Sequence, residues 1–214
     1  MGHVGFVCGL RSEAAALGLP AAVSGARPDL AEAHARRLAD EGAGALVSFG
    51  VAGALAPGLA PGDLLVPAVV VEACGRRYQA GAAFARTLGL PAPAGTLLGS
   101  DRLVATAADK AGLAGATGAS AVDMESHRVA RVAEERGLPF LAIRAIADPA
   151  SAAIPAAAQD SVREDGSVRV TATLARLLLR PWQLPALLAL GRHSALAHAT
   201  LEEAAAGLRR QAAP

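Results

Sequence analysis

Short apolar runs alternate with amphipathic stretches along most of this 214-residue chain. That pattern predicts a mostly parallel sheet covered by helices on both faces. Val4 to Cys8 reads as a first strand, and Ser12 to Leu17 as a short helix behind it. Asp29, after Pro28, is placed to N-cap a helix running to about Glu41. Along it Leu30, Ala33 and Leu38 separate from Glu32, Arg36, Arg37 and Asp40. Ala45 to Phe49 predicts a buried strand, and Asp63 to Glu72 another, rich in Val and Leu. Between them Leu55 to Gly62 holds two copies of one Pro-Gly turn, which reads as loop punctuation. Gly95 to Gly99 predicts a further strand.

The second half continues the alternation. Glu125 to Arg136 reads as a helix with Val129, Val132 and Ala133 inward and Arg128, Arg131, Glu134 and Glu135 outward. Gly137 stops it, and Phe140 to Ile146 returns as a strand. From Val168 to Arg210 the pattern is helical, interrupted at Arg180-Pro181 and Leu184-Pro185. No linker or shift in composition marks a second domain.

Composition narrows the function classes. A hydrophobic content of 53% in 214 residues suffices for one well-buried domain. The net charge of +1 gives no long-range pull on nucleic acid, and 3% aromatics make a stacking platform for single strands unexpected. Cys8 and Cys74 lack CxxC spacing and read as buried free thiols of a cytoplasmic protein. The N-terminus has no basic region or cleavage signature and reads as a first strand. Gly42 to Gly62 lacks charge, but Gly50, Gly53, Pro57, Gly58, Pro61 and Gly62 break it, which argues against a membrane span.

Two apolar runs end on carboxylates: Ala121-Val122-Asp123-Met124-Glu125, and Ile143-Arg144-Ala145-Ile146-Ala147-Asp148. Ligands of parallel α/β sheets bind at the C-terminal strand edges. Carboxylates delivered there suit a substrate with hydroxyls at one end and a basic ring nitrogen at the other, as in a nucleoside. Cleaving a purine N-glycosidic bond requires an acid for the base, a grip on the ribose and a nucleophile on the opposite face. Asp148, among apolar neighbours, suits the acid; an Asp-Pro turn is the alternative. Glu125 suits the ribose hydroxyls, with Met124 beside a sugar face; a glutamate favouring the helix dipole is the alternative. Glu13 suits a water-orienting base; an exposed helix-start glutamate is the alternative. Gly50-Val51-Ala52-Gly53 lets backbone approach a ligand closely. It is no GxGxxG fingerprint, and Walker, GxSxG and metal-ligand spacings are absent too, His193 and His198 included.

Taken together these segments resemble the purine nucleoside phosphorylase and nucleosidase superfamily, which includes methylthioadenosine/S-adenosylhomocysteine nucleosidase. The resemblance runs from Val4 to about Ala150. Gly9-Leu10-Arg11-Ser12-Glu13 resembles the segment with the water-activating glutamate, and Phe49 to Leu55 the glycine-rich loop. Pro61-Gly62-Asp63-Leu64 is similar to the Gly-Asp turn, and Ser100-Asp101-Arg102-Leu103-Val104 to the purine-pocket segment. Val122-Asp123-Met124-Glu125 resembles the ribose motif, and Arg144 to Asp148 the one bearing the purine-protonating aspartate. The resemblance implies a single-domain three-layer α/β fold over residues 1–214, a central mixed sheet flanked by helices. It implies no cofactor, a homodimer or higher oligomer, and Asp148 and Glu13 as catalytic residues. Glu125, Met124, Val122, Gly50, Val51, Ala52, Gly53, Leu103 and Val104 would bind substrate.

Departures accompany the match. Val51 stands where the glycine-rich loop has a polar residue, Ala147 replaces a serine, and Ser48-Phe49 stand where phosphorylases place an arginine. A bound phosphate would then rely on backbone donors or on Arg11, Arg27, Arg76 or Arg77, which favours water as nucleophile over phosphate as co-substrate. Past Pro149 the chain is similar to hopanoid-associated phosphorylases, in Asp148-Pro149-Ala150, Ile154-Pro155, Asp165-Gly166 and the run from Leu178 to Leu188. That match implies adenosylhopane as substrate and a lipid-like 5′ group. A short, polar-poor segment from Glu72 to Gly95 fits it. So does a cluster of Trp182, Leu184, Leu187, Leu188 and Leu190 able to line a channel or rest on a bilayer, though helix packing or a subunit interface explains the cluster as well. On this reading, deleting the chain after Arg180 spares soluble adenosine analogues and abolishes turnover of adenosylhopane.

Overall fold

The computed structural model describes residues 3–159, 162–163, 165–169, 175–177 and 180–212. Among the described residues nine strands form one mixed sheet: β1 (Val4–Cys8), β2 (Ala22–Val23), β3 (Ala45–Ala54), β4 (Leu64–Leu65), β5 (Val69–Glu72), β6 (Arg77–Gln79), β7 (Thr96–Gly99), β8 (Ala121–Asp123) and β9 (Phe140–Asp148). The helices are α1 (Arg11–Leu17), α2 (Pro28–Asp40), α3 (Ala82–Thr87), α4 (Ala107–Thr117), α5 (Ser126–Arg136), α6 (Ala156–Gln159) and a final long helix, α7 (Leu184–Ala212).

Alternation along the central strands decides the layers. Val7, Leu46, Ala142 and Ile146 face one side, where Ala31 and Ala35 of α2 and Val129 and Val132 of α5 cover them. Phe6, Cys8, Val47, Phe49, Leu141 and Ile143 face the other, against Leu17 of α1 and Leu201 and Leu208 of α7. A period of two on strands buried on both faces is what gives the apolar runs their unbroken look. Arg36–Glu135 (2.6 Å) and Arg128–Glu32 (3.0 Å) tie α2 to α5 at the surface.

Strand β3 is the hub, and its pairing leaves an opening. Residues Ala45 to Phe49 pair in parallel with β1, while β8 joins antiparallel only at Gly53 and Ala54. Strand β9 holds the opposite edge from Leu46 to Gly53, with a register shift between Ala52 and Gly53 that sets Asp148 across from Gly53. The stretch Gly50 to Ala52 therefore has a strand partner on one edge alone.

Several expectations change. The Gly50–Gly53 stretch is strand rather than loop, because β9 continues beside it. The run Asp63 to Glu72 is two strands broken at Pro67, whose missing N–H cannot serve a ladder. Asp29 is not an N-cap: Pro28 takes the first helical position, which its fixed φ suits, and Arg27 is the cap residue. Asp29 instead pairs with Arg27 at 2.7 Å. Cys8 is buried as expected, but Cys74 is exposed in the turn after β5. The segment after Glu72 forms β6 and α3 and buries Tyr78 and Ala85. Val168 lies in an antiparallel bridge with Val162 and not in a helix. Residues 170–174 of the expected helix, and Leu178-Leu179 of the tail run, lie outside the described residues. Pro185 sits in the first turn of α7 without interrupting it, since no earlier intrahelical partner awaits its missing N–H.

Candidate functional site

The gap beside Gly50–Ala52 is filled by a side chain. Glu13, in the first turn of α1, reaches back so that Oε2 accepts the Leu10 N–H (2.8 Å) and Oε1 accepts the Val51 N–H (2.8 Å). A backbone donor that would otherwise lie unpaired between two strands is thereby satisfied. Glu13 is 3% exposed, so the exposed helix-start alternative is wrong. Burial raises its pKa, against the lowering effect of Arg144 and of the backbone N–H donors. A Cβ on Gly50 would lie 2.5 Å from Glu13 Oε1, and one on Gly9 would lie 2.8 Å from Glu125 Oε1. Glycine at both positions is thus a matter of room for carboxylates, and Glu13 and Glu125 are neighbours across Gly9.

Arg144 organises this end of the site. It is fully buried on β9, with Nε 2.8 Å from Asp123 Oδ2 and its NH2 group 2.6 Å from Ser48 Oγ and 3.0 Å from Ser126 Oγ. Glu125 Oε2 lies 3.7 Å from the same guanidinium. Burial works against the charge of Arg144, yet Asp123, Glu125 and Glu13 hold its pKa above the usual arginine value. Three carboxylates thus share one cation. Burial first, then the charge of Asp123, pushes the Glu125 pKa up to about 8, with Arg144 opposing and Glu13 adding to the rise. Near neutrality Glu125 is a carboxylic acid able to donate as well as accept. It occupies the N-cap position of α5 without a side-chain capping bond, so its carboxyl group is spared for the site. Oδ1 of Asp123 is buried without a hydrogen-bond partner among the described residues.

Asp148 closes the other end. Its carboxylate is buried and ion-paired through Oδ2 to Lys110 of α4. Lys110 Nζ also donates to the carbonyls of Pro149 (3.0 Å) and Ala152 (2.9 Å), which uses all three ammonium hydrogens. Burial raises the Asp148 pKa, and Lys110 opposes the rise. Both carboxylate oxygens lie 3.2 Å from where a Cβ on Gly53 would be, so the glycine leaves them room. Asp148 borders a cavity of about 60 Å³ with Gly53, Leu103, Val104, Val122 and Met124. A wider cleft of about 760 Å³ meets it across Arg102, Leu103 and Val104.

The residues singled out from sequence therefore fall into two groups. Asp148, Gly53, Leu103, Val104, Val122 and Met124 share the small cavity. Glu13, Glu125, Gly50 and Val51 belong to the arginine cluster, and Ala52 is buried between β3 neighbours. Asp123 joins the two, lining the cavity and pairing with Arg144. Sequence reasoning missed the roles of Arg144, Lys110, Asp123 and Ser48. Arg144, inside an apolar strand, carried a legible signal, since a charge there must have buried partners. Lys110 carried a weaker signal, as the single lysine in the sequence, but nothing in α4's pattern shows that it is buried. The phosphate candidates are otherwise placed: Arg11 pairs with Asp165 (3.0 Å), Arg27 with Asp29, Arg76 with Glu134 (2.7 Å), and Arg77 is exposed. Among the described residues no cluster of His, Cys, Asp and Glu has the arrangement to hold a metal ion.

The chain is thus a three-layer α/β domain with buried carboxylates at a gap in its central sheet. The chain belongs to the Phosphorylase superfamily, whose family model matches residues 71–180, more than half of its length. Comparison with curated proteins finds no match. Among solved structures, it is similar to 5′-methylthioadenosine/S-adenosylhomocysteine nucleosidase of Neisseria meningitidis in complex with methylthio-immucillin-A (TM-score 0.72, 16% identity, 98% of this chain and 99% of that one). It is also similar to futalosine hydrolase of Helicobacter pylori (TM-score 0.70, 16% identity, 99% and 97%). A third likeness is S-adenosylhomocysteine nucleosidase of Streptococcus pyogenes (TM-score 0.64, 20% identity, 95% and 98%). At these identities the likeness shows the fold.

Proposed function

We propose that this protein cleaves the N-glycosidic bond of an adenosine-type nucleoside, with water as the nucleophile. The observation that carries the reading is the grouping of carboxyl groups at the sheet gap: Asp148 on the cavity wall, Glu125 and Glu13 side by side across Gly9. Asp148 gives a proton to the departing purine, whose ring nitrogen gains electron density as the bond to the sugar breaks. Glu125 binds the ribose hydroxyls, and Glu13 orients the water and takes its proton. Leu103, Val104 and Met124 supply apolar surface to base and sugar. A phosphate dianion is disfavoured here, because Arg144 is already ion-paired with Asp123 and has Glu125 and Glu13 beside it.

The substrate we favour is adenosylhopane, on the strength of the resemblance past Pro149. The exposed side chains Trp182, Leu184 and Leu188 support it. Arg180 and Arg192 flank them, and no acidic residue occurs from Gly166 to Leu201, a composition suited to a bilayer surface on which such a lipid would be met. No helix among the described residues is long and apolar enough to cross a membrane. The test is direct: incubate the protein with adenosylhopane, methylthioadenosine and inosine, with and without phosphate, and measure free base and sugar product. Adenine release from adenosylhopane, independent of phosphate and yielding the free sugar, is expected. A sugar phosphate as product would reverse the choice of nucleophile, and preference for methylthioadenosine would reverse the choice of substrate.

A further inference from the structure

The proton donor of the proposed reaction has a built partner. Lys110 projects from α4, an element outside the strand motifs, and reaches Asp148 through the protein interior. Its ammonium is 1% exposed and fully occupied by Asp148 Oδ2 and two backbone carbonyls. Two backbone carbonyls beyond the carboxylate take up its remaining donors, so the ammonium is fixed in place and not a mobile surface group. Other charged groups around Asp148 are sparser. His193 of α7 acts on it in the same direction as Lys110, while Arg102 and Asp123 line the same cavity. Strand β3 faces it with Gly53 alone.

We propose that Lys110 is the positioning residue of Asp148: it holds Oδ2 and stabilises the carboxylate that remains once the proton has left. The inference rests on Asp148 acting as the acid of the proposed cleavage. In that step the O–H bond of Asp148 breaks, a bond from hydrogen to a purine ring nitrogen forms, and the electron pair of the glycosidic bond moves into the base. Lys110 keeps its three hydrogens throughout. Its charge makes Asp148 a stronger acid while confining the protonated form to lower pH, so the two effects oppose each other in the pH profile.

The experiment compares wild type with Lys110→Gln, which keeps amide donors for the two carbonyls without the charge, and Lys110→Arg, which keeps the charge. Carbon-13 NMR of aspartate-labelled protein, with Asp148 assigned through Asp148→Asn, reads the protonation midpoint without requiring activity. The midpoint should rise by about one to three units in Lys110→Gln and remain within about half a unit of wild type in Lys110→Arg. Base release should fall at least about tenfold in Lys110→Gln, with the alkaline limb of its pH profile moved to higher pH, and recover in part with arginine. An unmoved midpoint in folded Lys110→Gln overturns the proposal. So does a midpoint that moves while the alkaline limb stays, since Asp148 would then be tuned without being the acid. Wild type that releases no base from any purine nucleoside defeats the cleavage reading itself, a result the midpoint readout keeps separate.

Discussion

The two ends of the site both bury a cation against carboxylate, and they differ in proportion. At the arginine end, Asp123, Glu125 and Glu13 surround Arg144 alone. At the lysine end, Asp148 meets Lys110 one to one. Burial, with the charge of Asp123 adding to it, pushes the Glu125 pKa at the first end up to about 8, so this group holds the proton. At the second end the single ammonium works against a raised pKa that burial alone would impose. Burial thus raises both acids of the site, and their neighbours differ: like charge adds to the rise at Glu125, and an opposite charge opposes it at Asp148. Assigning donors and acceptors to substrate depends on that difference.

The sharpest way to break the comparison is at the lysine end. Asp148→Asn should lower base release by about 10²–10⁴-fold while nucleoside binding, followed by calorimetry, changes little. An Asn variant with full turnover would remove the acid assignment. At the arginine end the larger effect is on stability. Arg144→Met leaves Asp123 and Glu125 without their cation and should cost about 3–5 kcal/mol in urea unfolding. A smaller loss would mean that the carboxylates simply take up protons.

Gly50→Ala tests whether the gap exists to seat Glu13. The added methyl displaces Oε1 from the Val51 N–H, so turnover should fall about 10²-fold while stability drops by about 1–3 kcal/mol. Wild-type activity in that variant would show that the position of Glu13 does not matter to turnover.

Linkage gives a gentler test. The Glu125 pKa is raised above the ordinary glutamate value of 4.5 to about 8, so between these values the folded state binds more protons at this group than the unfolded chain. Its contribution is fully present below about pH 4.5 and is lost as pH rises through 8, with a slope of at most about 1.4 kcal/mol per pH unit. Glu125→Gln should flatten the decline in unfolding free energy between about pH 4.5 and 8, the interval in which the folded state holds this one extra proton. Equal slopes in the two proteins would deny the raised value. The smallest effect belongs to the far surface: Trp182, 71% exposed, should change stability by no more than about 0.5 kcal/mol when replaced by Ser. A lipid role would show instead as lost turnover of adenosylhopane alone.

That last variant replaces truncation as the test of the C-terminal segment. Removing the chain after Arg180 cannot spare soluble substrates, because Ala197, Leu201, Ala205 and Leu208 of α7 are core residues against α1 and the sheet. The front half of the same helix holds the exposed Leu184 and Leu188. An apolar pattern alone does not say which half of a helix has a neighbour.

Sequence by itself determined the strands that are short apolar runs, the helix closed by Gly137, and the presence of carboxylates at the ends of such runs. Local periodicity and turn chemistry act over a few residues, so they are legible one segment at a time. The order of the family-like motifs also indicated which segments would meet. What only the tertiary structure decided was long-range: that β3 stands partly unpaired between β1 and β8, that Glu13 fills the opening, and that Arg144 is shared by three carboxylates. Lys110 is the plainest case, 38 residues from Asp148 and on an unremarked helix. Charge balance in a buried site depends on distances through space and on exclusion of water, and neither is written in the local order of residues.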